Sequence, residues 1–237
     1  MLNADDISFT ETTLSWPHTF RIISSRFPPV NFFEKLVDPQ FIDELFFIES
    51  LTNDRIREEL GNISLVPKED CVYGKKGASI IMAAFTHISR DRPSRFSDGT
   101  FGVYYASQSI TTSIRETAYH RERFLKYTQE PACELTMRVY RSGKILQPLK
   151  DIRNKNFASL HHSEDYTVSQ AFGKKMKETL AWGIVYNSVR HRGSLCIAIL
   201  RPTAIALPVI QTKHLRYMWN GEKIEHVYEV SNELIEI

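Results

Sequence analysis

Two stretches hold the residues of this sequence that could do chemistry. One is Arg95 to His120, dense in polar and aromatic side chains, and the other is Tyr186-Asn-Ser-Val-Arg-His-Arg-Gly. Glu116 and His120 stand four residues apart where the periodicity is helical, so they project from one helix face, nearly opposite Ile110, Ile114 and Ala118. Such a face either meets water or borders a cleft, and spacing alone leaves both open. Arg95 sits in a turn-rich loop, where a guanidinium fork can anchor the loop or grip a pyrophosphate. Tyr105 shares a strand face with Phe101 and Val103, a position suited to core packing or to stacking on a flat ligand ring. Ser188 follows a strand and has no neighbouring base pattern that would make it a nucleophile. Hydrogen bonding is therefore its expected role.

Common signatures of other chemistries are absent. There is no glycine-rich phosphate loop, no Gly-x-Ser-x-Gly elbow and no HExxH, so redox-cofactor and ATP chemistry lose support. His161 and His162 are adjacent in a loop without a cysteine or carboxylate pattern, and no metal is expected. Cys71, Cys133 and Cys196 are too widely spaced for zinc and odd in number, which suits a reducing compartment. With 30 Lys plus Arg against 28 Asp plus Glu, and signs alternating along the chain, direct nucleic-acid binding is not expected. The acidic start Met-Leu-Asn-Ala-Asp-Asp is unlike a signal peptide, and the longest apolar stretch, Ser79 to Phe85, is far too short to span a bilayer. These features predict a cytoplasmic protein with no membrane association.

The elements that must position those residues follow from periodicity. Ser109 can cap a helix to about Lys126, with Ile110, Ile114, Ala118 and Leu125 on the core side. Cys133 to Tyr140 alternates as a half-buried strand does, whereas Ser194 to Leu200 is apolar at nearly every position, as a central strand would be. Ile80 to Thr86, Phe101 to Ala106, Gly183 to Tyr186 and Ile224 to Val230 read as further strands, and Arg90 to Thr100 as an ordered loop. Val168 to Leu180 reads as a helix, Leu149 to Tyr166 as a loop region, and Asp38-Pro39 as the start of a helix to about Leu60. No repeat or long linker divides the chain. Residues 1–16 are expected as a polar lead and 17–237 as a single α+β domain with a mixed sheet flanked by helices.

Ser94-Arg-Phe-Ser-Asp-Gly-Thr-Phe-Gly-Val-Tyr-Tyr-Ala, then Thr111-Thr-Ser-Ile-Arg-Glu-Thr-Ala-Tyr-His and Val185-Tyr-Asn-Ser-Val-Arg, together resemble the RES family, named for an Arg, a Glu and a Ser. Those letters map onto Arg95, Glu116 and Ser188, with Tyr105 at the family's strand tyrosine. Arg21-Ile resembles the opening strand, and Cys196 to Pro202 the late strand followed by Arg-Pro. The resemblance implies a mostly antiparallel sheet similar to that of ADP-ribosyltransferases and a toxin of a toxin-antitoxin pair that cleaves the nicotinamide-ribose bond of NAD. The cleavage is expected as hydrolysis or phosphorolysis first, with a protein ADP-ribosyltransferase as the alternative and a non-catalytic nucleotide-binding module as the contrasting class. NAD is then substrate rather than cofactor. Glu116 and Arg95 are implied as catalytic, and Tyr105, Ser188, His120 and Arg21 as substrate-binding. The implied partner is a cognate Xre-type helix-turn-helix antitoxin, and self-association stays open.

Overall fold

In a computed structural model, which describes residues 10–27, 31–36 and 61–230, the apolar run Leu195–Ile199 is a strand covered on both faces. Ile197 and Ile199 face one hydrophobic cluster, and Cys196 and Ala198 face another. Alternation along a single strand thus feeds two cores. In chain order the strands are β1 (Glu11–Thr12), β2 (Thr19–Ser24), β3 (Tyr104–Ser107), β4 (Cys133–Ser142), β5 (Leu149–Asp151), β6 (Gly183–Asn187), β7 (Leu195–Ile199), β8 (Ile210–Trp219) and β9 (Ile224–Val230). They form one sheet in the order β1-β5-β6-β7-β3-β2-β4-β8-β9. Neighbours are antiparallel except β5 and β6, which are parallel. The architecture is α+β, a large mostly antiparallel sheet flanked by helices.

The described helices are α1 (Phe32–Lys35), α2 (Ala78–Thr86), α3 (Ile110–Tyr127) and α4 (Thr167–Glu178). Ile81, Met82 and Phe85 of α2 pack with Tyr104, Val185, Ile197 and Ile199 on one sheet face. Phe172 and Met176 of α4 pack with Ile184, Tyr186 and Ala198 on the opposite face. Phe20 of β2 is paired with Ser107 of β3, so both point to that second face, and there Ile110, Ile114 and Ala118 of α3 cover Ile22, Met137, Val139, Leu215 and Tyr217. Helices α3 and α4 therefore share one face, each over its own half of the sheet. Ser109 starts α3 as expected, its hydroxyl accepting from the Thr112 amide at 3.2 Å.

Several elements differ from the sequence reading. Ile80 to Thr86, expected as a strand, lies within helix α2. A short apolar run buried on several sides has no amphipathic period to distinguish helix from strand. What decides it is tertiary: Glu34 of α1 accepts hydrogen bonds from the amides of Gly77 and Ser79 at 3.1 and 3.2 Å, placing a carboxylate at the N-terminus of α2. The strand expected from Phe101 starts only at Tyr104. The expected loop from Leu149 to Tyr166 contains β5 and a 3-10 helix, Lys155–His161. Strand β8 was not foreseen, because Gln211, Thr212, Lys213, His214 and Arg216 dilute its apolar pattern where one side meets solvent. Within the expected polar lead, Glu11–Thr12 pairs with β5, and Leu14 and Trp16 are buried. The helix expected from Asp38 to Leu60 lies outside the described residues.

Helix α4 approaches the loop before β3 through Gly173, where an added Cβ would stand 2.0 Å from the Phe96 carbonyl oxygen. That distance is well inside contact, and the neighbour is backbone rather than a flexible side chain. Gly173→Ala is therefore expected to cost about 1–3 kcal/mol, as overpacking does. It should lower the thermal midpoint and loosen the Ser94–Ser97 loop, and an unchanged midpoint would show that the helix can shift freely.

Candidate active site

The sheet opens where β2 meets β3. The two strands share a single residue pair, Phe20 with Ser107, while each is fully registered with its other neighbour. Beyond that pair they part. A small cleft of about 120 Å³ lies over the gap, lined by Phe20, Arg21, Tyr105, Glu116, Tyr186 and Cys196 among others.

Helix α3 presents Ser113, Glu116, Thr117 and His120 at i, i+3, i+4 and i+7, one face of about two turns. Ser113 sits deepest, its hydroxyl bonding the Phe20 carbonyl at 2.8 Å and the Ser107 hydroxyl at 2.6 Å. That contact fixes the helix on the single residue pair holding β2 to β3. Thr117 bonds the Tyr217 hydroxyl at 2.8 Å. Glu116 points between these anchors and receives the Ser188 hydroxyl at 2.5 Å, with the Cys196 thiol 3.9 Å away. Burial and the neighbouring Glu116 carboxylate push the Cys196 thiol up, so it stays protonated at neutral pH.

Arg21 reaches across the gap, donating from Nη1 to the Tyr105 carbonyl at 3.1 Å with its guanidinium 4.6 Å from the centre of the Tyr104 ring. Its Nε is buried without a hydrogen-bond partner. Burial lowers its proton affinity and the two tyrosines oppose that shift, but an arginine stays charged. The Tyr105 hydroxyl accepts from the Phe96 amide at 2.9 Å and bonds the Ser94 hydroxyl at 2.8 Å, pinning the loop that carries Arg95. Its phenol is pushed up to about 12, chiefly by burial.

Arg95 is not a lining residue of the cleft. It is buried, its Nη1 donating to the carbonyls of Leu160 at 3.3 Å and His162 at 2.8 Å, with its guanidinium 4.5 Å from the centre of the Tyr166 ring. The expected pyrophosphate clamp thus begins as a brace between two loops. Its charge still acts on His120 and Tyr186 nearby. The structure brings together Glu116, Ser188, Tyr105 and Arg21, sets His120 at the rim, and holds Arg95 one layer behind.

Arg190, unassigned by sequence reasoning although inside the flagged 186–193 segment, stacks over Tyr119 with its guanidinium 3.3 Å from the ring centre and donates to the Ser163 carbonyl. His161 spends both ring nitrogens on backbone, donating from Nδ1 to the Phe157 carbonyl at 3.0 Å and accepting from the Asn187 amide at Nε2 at 3.2 Å. Among the described residues no group of three or more His, Cys, Asp or Glu stands close enough to hold a metal ion. No described helix is long and apolar enough to cross a membrane.

With this geometry in view, the comparisons with known proteins define the class. The RES domain family model matches residues 72–220, more than half of the chain, and the chain belongs to that family. It is 30% identical over 214 residues to the uncharacterized protein y4oC of Sinorhizobium fredii (strain NBRC 101917 / NGR234), covering 88% of this chain and 86% of that protein. Among solved structures, a chain of the M.tuberculosis MbcT-MbcA toxin-antitoxin complex aligns with a TM-score of 0.36 at 10% identity, over 54% of this chain and 72% of that one.

His120 keeps exposed surface at the rim, yet desolvation by its surroundings, followed by the charges of Arg190, Arg95, Arg123 and Arg121, pushes its imidazole from 6.5 down to about 4. Between those values the unfolded chain binds the proton and the folded one does not, so stability should fall as pH drops from about 6.5 toward 4 and be complete above that window. Histidine NMR titration should place His120 near 4, and Arg190→Met should raise it. A ring titrating near 6.5 would show that the arginines and desolvation have no hold on it.

Proposed function

We propose that this protein is a toxin that breaks the bond between nicotinamide and ribose in NAD, depleting the cell of NAD, and that a cognate antitoxin blocks the same cleft. The observation that carries the reading is Glu116, the one carboxylate among the cleft's lining residues, held by Ser188 opposite the cationic Arg21. Membership of the RES family supports it, and the resemblance maps the family's defining Arg, Glu and Ser onto Arg95, Glu116 and Ser188. Departure of nicotinamide leaves positive charge on the ribose, as in the oxocarbenium-like transition state of glycoside hydrolysis. A carboxylate fixed before the reaction stabilises that charge without reorganising, the kind of electrostatic term that often dominates catalysis. Nicotinamide leaves as a neutral base, so no strong general acid is required.

Around that centre Tyr105 offers a ring for the nicotinamide, and Arg21 brings a cation to the cleft lining. Ser188 is not the nucleophile. Its oxygen already accepts the amides of Arg190 at 3.3 Å and His191 at 2.9 Å, while its proton goes to Glu116. The cation is then captured by water or inorganic phosphate. His120, neutral at the rim, can hydrogen-bond the ribose or a phosphate without adding charge.

Purified protein should convert NAD to free nicotinamide, with chromatography in the presence and absence of phosphate separating hydrolysis, phosphorolysis and transfer to protein. Glu116→Gln, which keeps the shape and removes the charge, should lose about 100-fold or more in kcat while remaining folded. A soluble Glu116→Gln protein with full activity would falsify the assignment. Arg95→Lys keeps charge but loses the fork. Its KM for NAD should rise about tenfold and its thermal midpoint should fall through the lost Leu160 and His162 contacts. A wild-type KM would remove Arg95 from substrate binding.

A further inference from the structure

The 188–194 loop, between β6 and β7, is bonded to itself. The Ser188 amide donates to the Ser194 carbonyl at 2.8 Å, and the Ser194 amide returns to the His191 carbonyl at 3.1 Å. A loop closed in this way can still rock as a unit. Besides Ser188 and Arg190, a third side chain of the loop reaches helix α3: His191 Nδ1 lies 2.9 Å from the Thr112 hydroxyl and 3.0 Å from the Ser194 hydroxyl. A ring nitrogen offers one lone pair or one N–H, so the two hydroxyls share it. Thr112 is itself fully buried and tied to the Ser109 cap, amide to hydroxyl at 3.2 Å and hydroxyl to hydroxyl at 2.8 Å. The anchor is thus tied into the N-terminal cap of α3.

Thr112 and Glu116 are four residues apart and share a face of α3. The same loop meets that face three times, through His191 at Thr112, through Ser188 at Glu116 and through Arg190 over Tyr119. Within the loop, the His191 amide donates to the Ser188 hydroxyl oxygen at 2.9 Å. With the oxygen's lone pairs so engaged, the hydroxyl proton is left to point at Glu116. Moving His191 away from Thr112 would therefore move both the donor that orients Ser188 and the loop that places it.

We propose that His191 is a positioning residue for the reacting carboxylate: by bridging Thr112 and Ser194 it sets the 188–194 loop so that Ser188 holds Glu116 in one rotamer. His191 does not line the cleft, and its hydrogen bonds to Thr112, Ser188 and Ser194 lead to Glu116 rather than to the ligand. A carboxylate that samples several rotamers gives up catalytic power without losing the binding surface. This assignment rests on the reading of Glu116 as the charge-stabilising group, and its test includes a measurement that does not need turnover.

The measurement is amide hydrogen exchange by NMR on the full chain, paired with steady-state NAD cleavage, for the wild type, His191→Ala, His191→Asn and Thr112→Val. His191→Ala should speed exchange of the Arg190 and residue 191 amides at least tenfold, leave the mid-α3 amides unchanged, and lower kcat about tenfold with KM within a factor of two. His191→Asn, which retains an acceptor near the Nδ1 position, should restore most of both. Thr112→Val should resemble His191→Ala, and the double variant should be no worse than either single one, since both cut the same link. Unchanged exchange in the loop of His191→Ala overturns the proposal even if NAD is never cleaved, whereas loosened exchange without wild-type turnover refutes the proposed reaction and leaves the positioning role standing. Loosened exchange with an unchanged kcat, or a rise in KM alone, overturns the link between the loop and Glu116.

Discussion

The organising constraint is the single pair that joins β2 to β3, Phe20 with Ser107. A sheet with one shared pair between neighbours has unspent hydrogen-bonding groups on both sides of the gap, and buried groups of this kind must be paired somewhere. The chain pairs them with side chains. Ser113 of α3 takes the Phe20 carbonyl, and Arg21 takes the Tyr105 carbonyl. Each of these bonds also performs a placement: the first seats α3, and with it Glu116, on the join, while the second draws a guanidinium across the opening. The cleft is therefore a consequence of strand divergence, and its polar lining is what makes the divergence tolerable.

Much of this was legible because some signals are local. The Ser109 cap, the Ile110–Ile114–Ala118 stripe and the uninterrupted apolar run of β7 each contain their own evidence, and all three appear where periodicity puts them. Helix α2 was misread because its fate depends on Glu34, more than forty residues earlier in the chain, and on burial from several sides. Strand β8 was missed because it lies between β4 and β9, where partners on both edges stabilise a strand whose own pattern is weak. Within the site, Glu116 and His120 share a face by spacing alone. That Ser188 meets Glu116, that Arg21 opens into the cleft and that Arg95 braces a loop are long-range facts, with 72 residues separating the first pair. Arg190 and His191 lay inside a segment flagged by type, but nothing in one sequence says which helix they would meet.

The arginines show how the site differs from the rest of the molecule. At Arg201, remote from the cleft in the fold's scaffold, the guanidinium Nε meets both oxygens of Asp70 at 3.0 and 2.8 Å, Thr203 adds a third bond to that carboxylate, and Trp182 stacks on the cation. Such a pair has its charge balanced in place. Arg21, Arg95 and Arg190 follow another pattern: each donates to a backbone carbonyl and lies over an aromatic ring, Tyr104, Tyr166 and Tyr119 respectively. Among the described residues none of the three pairs with a carboxylate.

A carbonyl and a ring face orient a guanidinium but do not neutralise it. Holding unneutralised charge in partly buried surroundings costs stability, and the lowered proton affinity of His120, set first by desolvation, also carries the charges of Arg190 and Arg95. A chain selected for stability alone could place acids there, as it does at Asp70. Charge left open in this way is compatible with an anionic ligand, although of the three cations only Arg21 lines the cleft and Arg95 stands behind it. Glu116 is left without an ion-pair partner among the described residues by the same arrangement, since the cations spend their donors on carbonyls and a hydroxyl meets the carboxylate. Ser188 is then the suitable partner for it, since a hydroxyl can fix a carboxylate's direction without cancelling its charge.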